Sequence, residues 1–455
     1  MASSAAASSH RPVPLTGADC FLRAFDSEVR RTAGSSHVSQ LVLRLGPGLE
    51  PERLAALLAE VARAQPLLRA PVRRPWGVLP PVSRTDLSAG AALPRLELHD
   101  AKAPPGADGA RPIPDVIQER LNDRFDGGRG ELLRCDVVRN DGGAGGCDVA
   151  FTWLHWLFDG AGSERFVRWL DEVGRGLRAA DALPDEAPAS APAPAGAKAR
   201  GDQALRWQAR MRSFAARSPR SLAGPLARTR QALGYDVATF TRDETARIAA
   251  RAKQSAGFLT PMLYYLAGSV RAHHAVARAR GADPGSYVVP LPVNLRAKGG
   301  QGEIFGTRIS LIWFQVFPEQ LESFDGLLAE LKAQRLTTIK EGLVEAGSAA
   351  MDFARWLPRR AYAHMARRAF RGELCSFIFA YTDEFLPGMT HFLGAPIENA
   401  FHAPSVPASP GSGSVFSIRE GRLNFTHVRQ AGVFSDRELA VFRAALREDL
   451  LGERA

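Results

Sequence analysis

FTWLHWLFDGAG, residues 151–162, interrupts a run of bulky apolar residues with one histidine, His155, and then reaches Asp159 and Gly160. Upstream, LLRCDVV and CDVAFTWL flank NDGGAGG, whose glycines can take positive φ, so the two runs read as a hairpin. Downstream, SERFVRWLDEVGRGL places Phe166, Leu170, Val173 and Leu177 at helical spacing. His155 therefore ends a strand, and a helix begins just after Gly160. A sheet holds such a histidine rigidly while letting it face a cleft, which suits a general base. Asp159, past a turn, is better placed to brace that turn through a buried ion pair than to act as a second base. Gly160 would allow tight turning and close backbone approach. Taken alone, the stretch also fits a histidine satisfied within a core.

Working outward, the chain reads as mixed α and β. HVSQLVLRL (37–45) alternates as a strand, and PERLAALLAEVARA (51–64) opens with Pro51 and aligns Leu54, Leu58 and Val61 on one helical face. Pro- and Gly-rich loops are expected over 71–113. DALPDEAPASAPAPAGAKAR (181–200) is low-complexity Pro/Ala and reads as a crossover linker. Beyond it, TRDE (241–244) is a capping box before a helix. YVVPLPVNLR, RISLIWFQVF and ELCSFIFAYTDEF are apolar runs expected to form strands. VFSIREGRLNFTHV is a hairpin with a Glu-Gly turn, and SDRELAVFRAALREDLL is a closing helix. The expected organisation is an N-terminal lobe over 1–180, a linker over 181–205 and a C-terminal lobe over 206–455. A length of 455 residues fits this, since domains typically hold about 100–200 residues.

Several function classes fall away on composition. Hydrophobic content of 45% and charged content of 23% are ordinary for a globular protein with a large core. The start, MASSAAASSHRPVPL, is polar and lacks the apolar core of a secretory leader. Cys20, Cys135, Cys147 and Cys375 form no CxxC pair. A cytoplasmic protein with reduced thiols is expected. Neither HExxH nor paired-cysteine spacing supports a metal, and the glycine cluster fails the GxGxxG spacing of a dinucleotide site. PGSGS is not a GxSxG elbow, which argues against a serine hydrolase. His273-His274 lies in an expected helix with no Asp-Gly after it. The net charge of +10 suits nucleic acid, an anionic membrane surface or an acidic ligand, but no nucleic-acid module is recognisable. Two arginine-rich segments, 206–221 and 355–372, carry Trp, Met and Phe among their cations. They would suit peripheral membrane contact, an acidic carrier protein or the phosphates of coenzyme A.

HWLFDG resembles the HxxxDG signature of the chloramphenicol-acetyltransferase-like acyltransferase superfamily, which includes BAHD enzymes, wax-ester synthases, polyketide-associated acyltransferases and nonribosomal peptide condensation domains. RFDGGRGELLRC, YVVPLPVNLR, IFGTRISL and the C-terminal LGAPIENAFHAPSVPASPGSGSVFSIREGRLNF are similar to family segments and occur in the family's order. The resemblance implies an α/β (α+β) fold of two chloramphenicol-acetyltransferase-like lobes in a V-shaped pseudo-dimer around a tunnel. It implies acyl transfer from a CoA or carrier-protein thioester, with His155 as general base and no permanently bound cofactor. The donor's phosphopantetheine thioester is then a co-substrate, and the acceptor is a small-molecule or lipid alcohol. Asp159 would be structural and pair with Arg296 of PVNLR. Tyr381 and Thr382, in a strand near the tunnel, are candidate oxyanion donors.

The sequence also departs from the family. Many relatives carry a second histidine where this chain has Leu154. The Phe-Gly-Asn element reads Phe305-Gly306-Thr307, and the BAHD DFGWG motif is absent. DGAGSERFV resembles O-acyltransferases more than condensation domains, which favours alcohol acylation. An amide-forming condensation enzyme and a non-catalytic binding module are the alternatives.

Overall fold

The computed structural model describes residues 12–74, 83–88, 92–101, 112–140, 145–184, 196–217, 219–224, 230–257, 260–296 and 303–452. The Ala/Ser-rich start, part of the 71–113 loops, residues 141–144 of NDGGAGG and the Pro/Ala run 185–195 lie outside the described residues.

In the first half the elements are β1 (Val13–Pro14), α1 (Gly17–Thr32), β2 (Val38–Leu45), α2 (Pro51–Ala64), β3 (Val72–Arg73), β4 (Arg84–Thr85), β5 (Arg95–Asp100), α3 (Asp115–Glu119), β6 (Leu133–Arg139), β7 (Cys147–Leu154) and α4 (Gly160–Gly174). In the second half they are α5 (Ala197–Ala215), β8 (Leu233–Thr239), α6 (Arg242–Ala256), α7 (Pro261–Ala279), β9 (Tyr287–Asn294), β10 (Ile309–Val316), α8 (Phe324–Lys340), α9 (Leu343–Ala354), α10 (Arg359–Arg368), β11 (Ile378–Thr382), β12 (His391–Phe392), β13 (Ala395–Pro404), β14 (Ser412–Arg419), β15 (Arg422–Gln430) and α11 (Asp436–Leu451).

The expected hairpin is β6 and β7, antiparallel with Leu133 opposite Trp153. Every residue of β7 is buried, because both faces of its sheet are covered. That explains why CDVAFTWL is largely apolar on both faces rather than alternating, with Asp148 and Thr152 as its buried polar members. The six-stranded sheet runs β12-β13-β2-β7-β6-β5. A second sheet runs β11-β14-β15-β8, and β9 pairs with β10. The β14–β15 hairpin turns at Glu420 and Gly421, with φ of 47° and 73°, the paired positive values a type I′ turn requires. The capping box at Thr241 and Glu244 starts α6. One apolar core fills the β2/β7 sheet; a second lies among α6, α7, α11 and the β14–β15 strands.

Three expectations change. The 71–113 region is not all loop. It contributes β3, β4 and β5, the last a half-exposed six-residue edge strand set between Pro- and Gly-rich flanks. The linker expected over 181–205 gives way to α5 at Ala197, where AKARGDQALRWQA is rich in strong helix formers. The lobes are also interleaved. β12 and β13, from residues 391–404, leave the C-terminal part and extend the N-terminal sheet, with β13 antiparallel to β2.

Candidate active site

His155 follows directly on β7, and its N–H donates to the His37 carbonyl at 3.0 Å, continuing the β2–β7 ladder by one residue. Leu154 before it is fully buried and packs on the RFDGGRG segment, where a Cβ on Gly127 would meet Leu154 Cδ1 at 2.9 Å. Trp153 is likewise buried, and its indole N–H donates to the Phe158 carbonyl at 2.8 Å, tying the loop back onto the strand. His155, by contrast, keeps partial access to solvent. Its Nδ1 is buried without a hydrogen-bond partner among the described residues, which leaves Nε2 as the nitrogen able to meet a substrate.

Burial lowers the His155 pKa from its ordinary value; its own carbonyl, the Asp159 charge and the Phe158 carbonyl offset this in part. The imidazole is therefore held neutral, with a lone pair to accept a proton.

Asp159 is the N-cap of α4, where its Oδ1 accepts from the Gly162 N–H at 2.8 Å. Arg296 Nη1 lies 2.8 Å from both Asp159 oxygens, with both side chains about nineteen-twentieths buried (5% and 4% exposed). The Arg308 N–H donates to Asp159 Oδ2 at 2.8 Å, and Arg296 Nε reaches the Glu303 carbonyl at 3.1 Å. One carboxylate thus joins the histidine loop, the end of β9 and the start of β10. The 303–308 segment is strapped down further by Gly306 N–H to the Leu157 carbonyl at 2.7 Å and by Thr307 N–H to Asp19 Oδ1 at 2.8 Å. Threonine in place of asparagine in Phe305-Gly306-Thr307 leaves these main-chain bonds intact. Close backbone approach falls on Gly162 rather than Gly160. A Cβ on Gly162 would come within 2.4 Å of the Ile304 carbonyl, whereas one on Gly160 would make ordinary contact with His402.

His155, Asp159, Gly160 and Arg296 are therefore brought together. The Tyr381 ring stacks on Tyr265 at 5.0 Å, and its hydroxyl donates to Asp383 Oδ1 at 2.9 Å. Among the described residues no interaction joins the Tyr381 or Thr382 side chain to His155. His273 of the His273-His274 pair lies in the C-terminal core, stacked on Phe377 at 3.9 Å.

Two neighbours of His155 escape sequence reading. His37 is buried 5.0 Å from the His155 ring, with its Nδ1 3.2 Å from the Leu22 carbonyl. Burial and the neighbouring His155 push its pKa down to about 3, so it too is neutral. His402 comes from β13; its Nε2 donates to Ser163 Oγ at 2.8 Å, since that hydroxyl spends its proton on the Gly160 carbonyl. Finding either residue requires the strand pairing: His37 lies opposite His155 only through the β2–β7 register, and β13 reaches the sheet from the other half of the chain.

Glu97, His99 and Asp136 also cluster, but Arg120 already bonds to both carboxylates. We read that group as an ion-pair network on β5 and β6 rather than a metal centre.

No protein-family model matches the chain, and no curated protein matches it. Solved structures do, over nearly all of its length. The fold is that of the condensation domains, in the chloramphenicol-acetyltransferase-like class. The first condensation domain of the calcium-dependent antibiotic synthetase superposes with a TM-score of 0.67 at 18% identity, covering 98% of each chain. The condensation domain from the monacolin K polyketide synthase MokA gives 0.59 at 16%, covering 97% of each. Polyketide synthase associated protein 5 from Mycobacterium tuberculosis gives 0.58 at 11%, again covering 97% of each. Among the described residues, no helix is long and apolar enough to cross a membrane.

Proposed function

We propose that this protein is an acyltransferase that moves an acyl group from a CoA or carrier-protein thioester to an acceptor hydroxyl. The observation that carries this reading is the placement of His155: neutral, partly open, and aimed from the end of a central strand by the Asp159–Arg296 clamp. His155 Nε2 accepts the acceptor's proton as the oxygen attacks the thioester carbonyl. The new C–O bond forms and charge collects on the carbonyl oxygen. The tetrahedral intermediate then collapses, the C–S bond breaks, and the imidazolium returns its proton to the departing thiolate. Atoms and charge balance without a covalent enzyme intermediate or a metal.

A carrier-bound donor is supported by the likeness to condensation domains of nonribosomal peptide and polyketide synthases. The same likeness supports a second reading, in which the acceptor is an amine and the product an amide. The deciding experiment measures free thiol from CoA and carrier thioesters with candidate alcohols and amines. Thiol release that requires an alcohol supports ester formation; release with amines alone shifts the reading to condensation. Peripheral membrane contact remains a proposal for the arginine-rich α5 and α10 segments.

A further inference from the structure

Residues 206–221 and 355–372 carry five and six arginines and no carboxylate. They fall largely on α5 and α10, and these helices flank an open cavity of about 740 Å³. Trp207 and Met211 of α5, Met351 of α9 and Trp313 of β10 give it an apolar lining. Its lip is apolar too: Leu205, Phe353, Leu357 and Met365 belong to the lining and are 62%, 46%, 38% and 48% exposed. Four of the ten exposed large apolar side chains among the described residues thus gather at one opening, where single, scattered ones are ordinary.

Cations stand at the same opening. Arg212 and Arg368 line it, both are exposed, and neither forms an ion pair among the described residues. Arg359 and Arg367 of α10, by contrast, bind Asp26 and Glu28 of α1. Two arginines therefore fasten α10 to the fold, and Arg368 is left for something outside it. An apolar lip beside unpaired cations is the arrangement of an interfacial segment, which sinks its apolar side chains among lipid chains and keeps its charges at the headgroups. Arginine reaches headgroup level along its apolar stem. An acidic protein would meet the cations but leave the cavity against water, whereas an anionic phospholipid supplies both a phosphate and an apolar chain. His155, Asp159 and Arg296 lie outside the cavity lining.

We propose that this face docks on an anionic phospholipid bilayer, with Arg212 and Arg368 on lipid phosphates, the lip among the acyl chains and one lipid chain reaching into the cavity. This gives the membrane contact raised above a face, a lipid class and a bound chain. Docking needs no turnover, so it stands apart from the acyl-transfer reading. The intact protein is mixed with vesicles of phosphatidylcholine, alone or with added phosphatidylglycerol, and the bound fraction is read by flotation. Binding is expected on the anionic vesicles. It falls by roughly tenfold or more on neutral ones, and again as salt rises from 0.1 M to 1 M and the screening length drops from about 10 Å to about 3 Å. Arg212→Gln and Arg368→Gln each weaken it by roughly fivefold, and Leu205→Asp and Met365→Asp each by roughly tenfold or more. Arg437→Gln and Leu177→Asp, at exposed positions outside the cavity lining, leave it unchanged. Vesicles whose phosphatidylglycerol is brominated along its chains quench the Trp207 fluorescence, taken as the difference between wild type and Trp207→Phe. Thermal melting checks that each variant folds. Equal binding to neutral vesicles, no binding to anionic ones, lip and arginine variants that match the two controls, or an unquenched Trp207 in the vesicle-bound protein each overturns the proposal. So does binding of an acidic carrier protein that is lost in the same arginine variants while vesicles are ignored, which gives the face to a protein partner.

Discussion

Asp159 and Arg296 stand 137 residues apart in the chain, yet they meet at 2.8 Å through both carboxylate oxygens, nearly sealed from solvent. The pair fixes where the histidine loop sits against the β9–β10 hairpin. Removing one partner strands the other charge in a dry site, which typically costs about 3–5 kcal/mol. Asp159→Ala also removes the α4 N-cap, worth about 1 kcal/mol. Denaturant unfolding of Asp159→Ala, Arg296→Met and the double variant is expected to show large single losses and a double loss well below their sum. Strict additivity would mean that the two side chains do not act on each other.

Gly162→Ala tests the strap rather than the charge. Its Cβ would press on the Ile304 carbonyl at 2.4 Å and the Phe158 Cβ at 2.8 Å. Relief requires the 303–308 segment to move away from the histidine loop. Overpacking of this kind costs about 1–3 kcal/mol. Lower stability and lower kcat are expected together, and an unchanged melting temperature would refute the close approach.

Leu154 occupies the position of the first histidine in the two-histidine form of the signature that this stretch resembles, and here it is fully buried against the RFDGGRG segment. Restoring histidine by Leu154→His places a polar ring among apolar neighbours, at a cost of about 1–3 kcal/mol. The variant is expected to be less stable and no more active. A gain in kcat would show that this position takes part in the chemistry.

Stability is expected to fall in mild acid. Burial pushes His37 and His402 down to about 3 and His273 down to about 4, and lowers His155 and His427 as well. These folded-state values lie below the unfolded value near 6.5, so the unfolded chain takes up the protons. The stability is whole above about pH 6.5 and is lost as pH falls toward 4, by up to about 1.4 kcal/mol per pH unit for each histidine. Melting curves from pH 7.5 to 5.0 check this, and a flat profile would sink it. The same depression places the acid limb of kcat/KM below pH 6.5.

Much of this site was legible in local sequence. The hairpin, the strand end at His155 and the helix after Gly160 follow from periodicity and turn residues that act over a few positions. The Asp159–Arg296 pair came from the family resemblance, since nothing local to either residue names its partner. What stayed hidden depends on long-range pairing. His37 heads an ordinary strand and gains meaning only from its register with β7. His402 reaches the site because β13 crosses into the other sheet. The edge strand β5 alternates Leu96 and Leu98 with polar residues, but it is only six residues long and sits between Pro- and Gly-rich flanks that read as loop. Tyr381 is a candidate oxyanion donor only through the family resemblance, because the direction of a side chain is not written in local sequence; in the structure its hydroxyl donates to Asp383.

The most direct test compares wild-type and His155→Ala proteins in acyl transfer, following free thiol from a thioester donor with an alcohol acceptor. His155 is partly exposed and its Nδ1 has no hydrogen-bond partner among the described residues, so the variant should melt close to the wild type. General-base catalysis predicts that its transfer rate falls by about 10²–10⁴-fold. Full acyl transfer by a folded His155→Ala protein would contradict the mechanism.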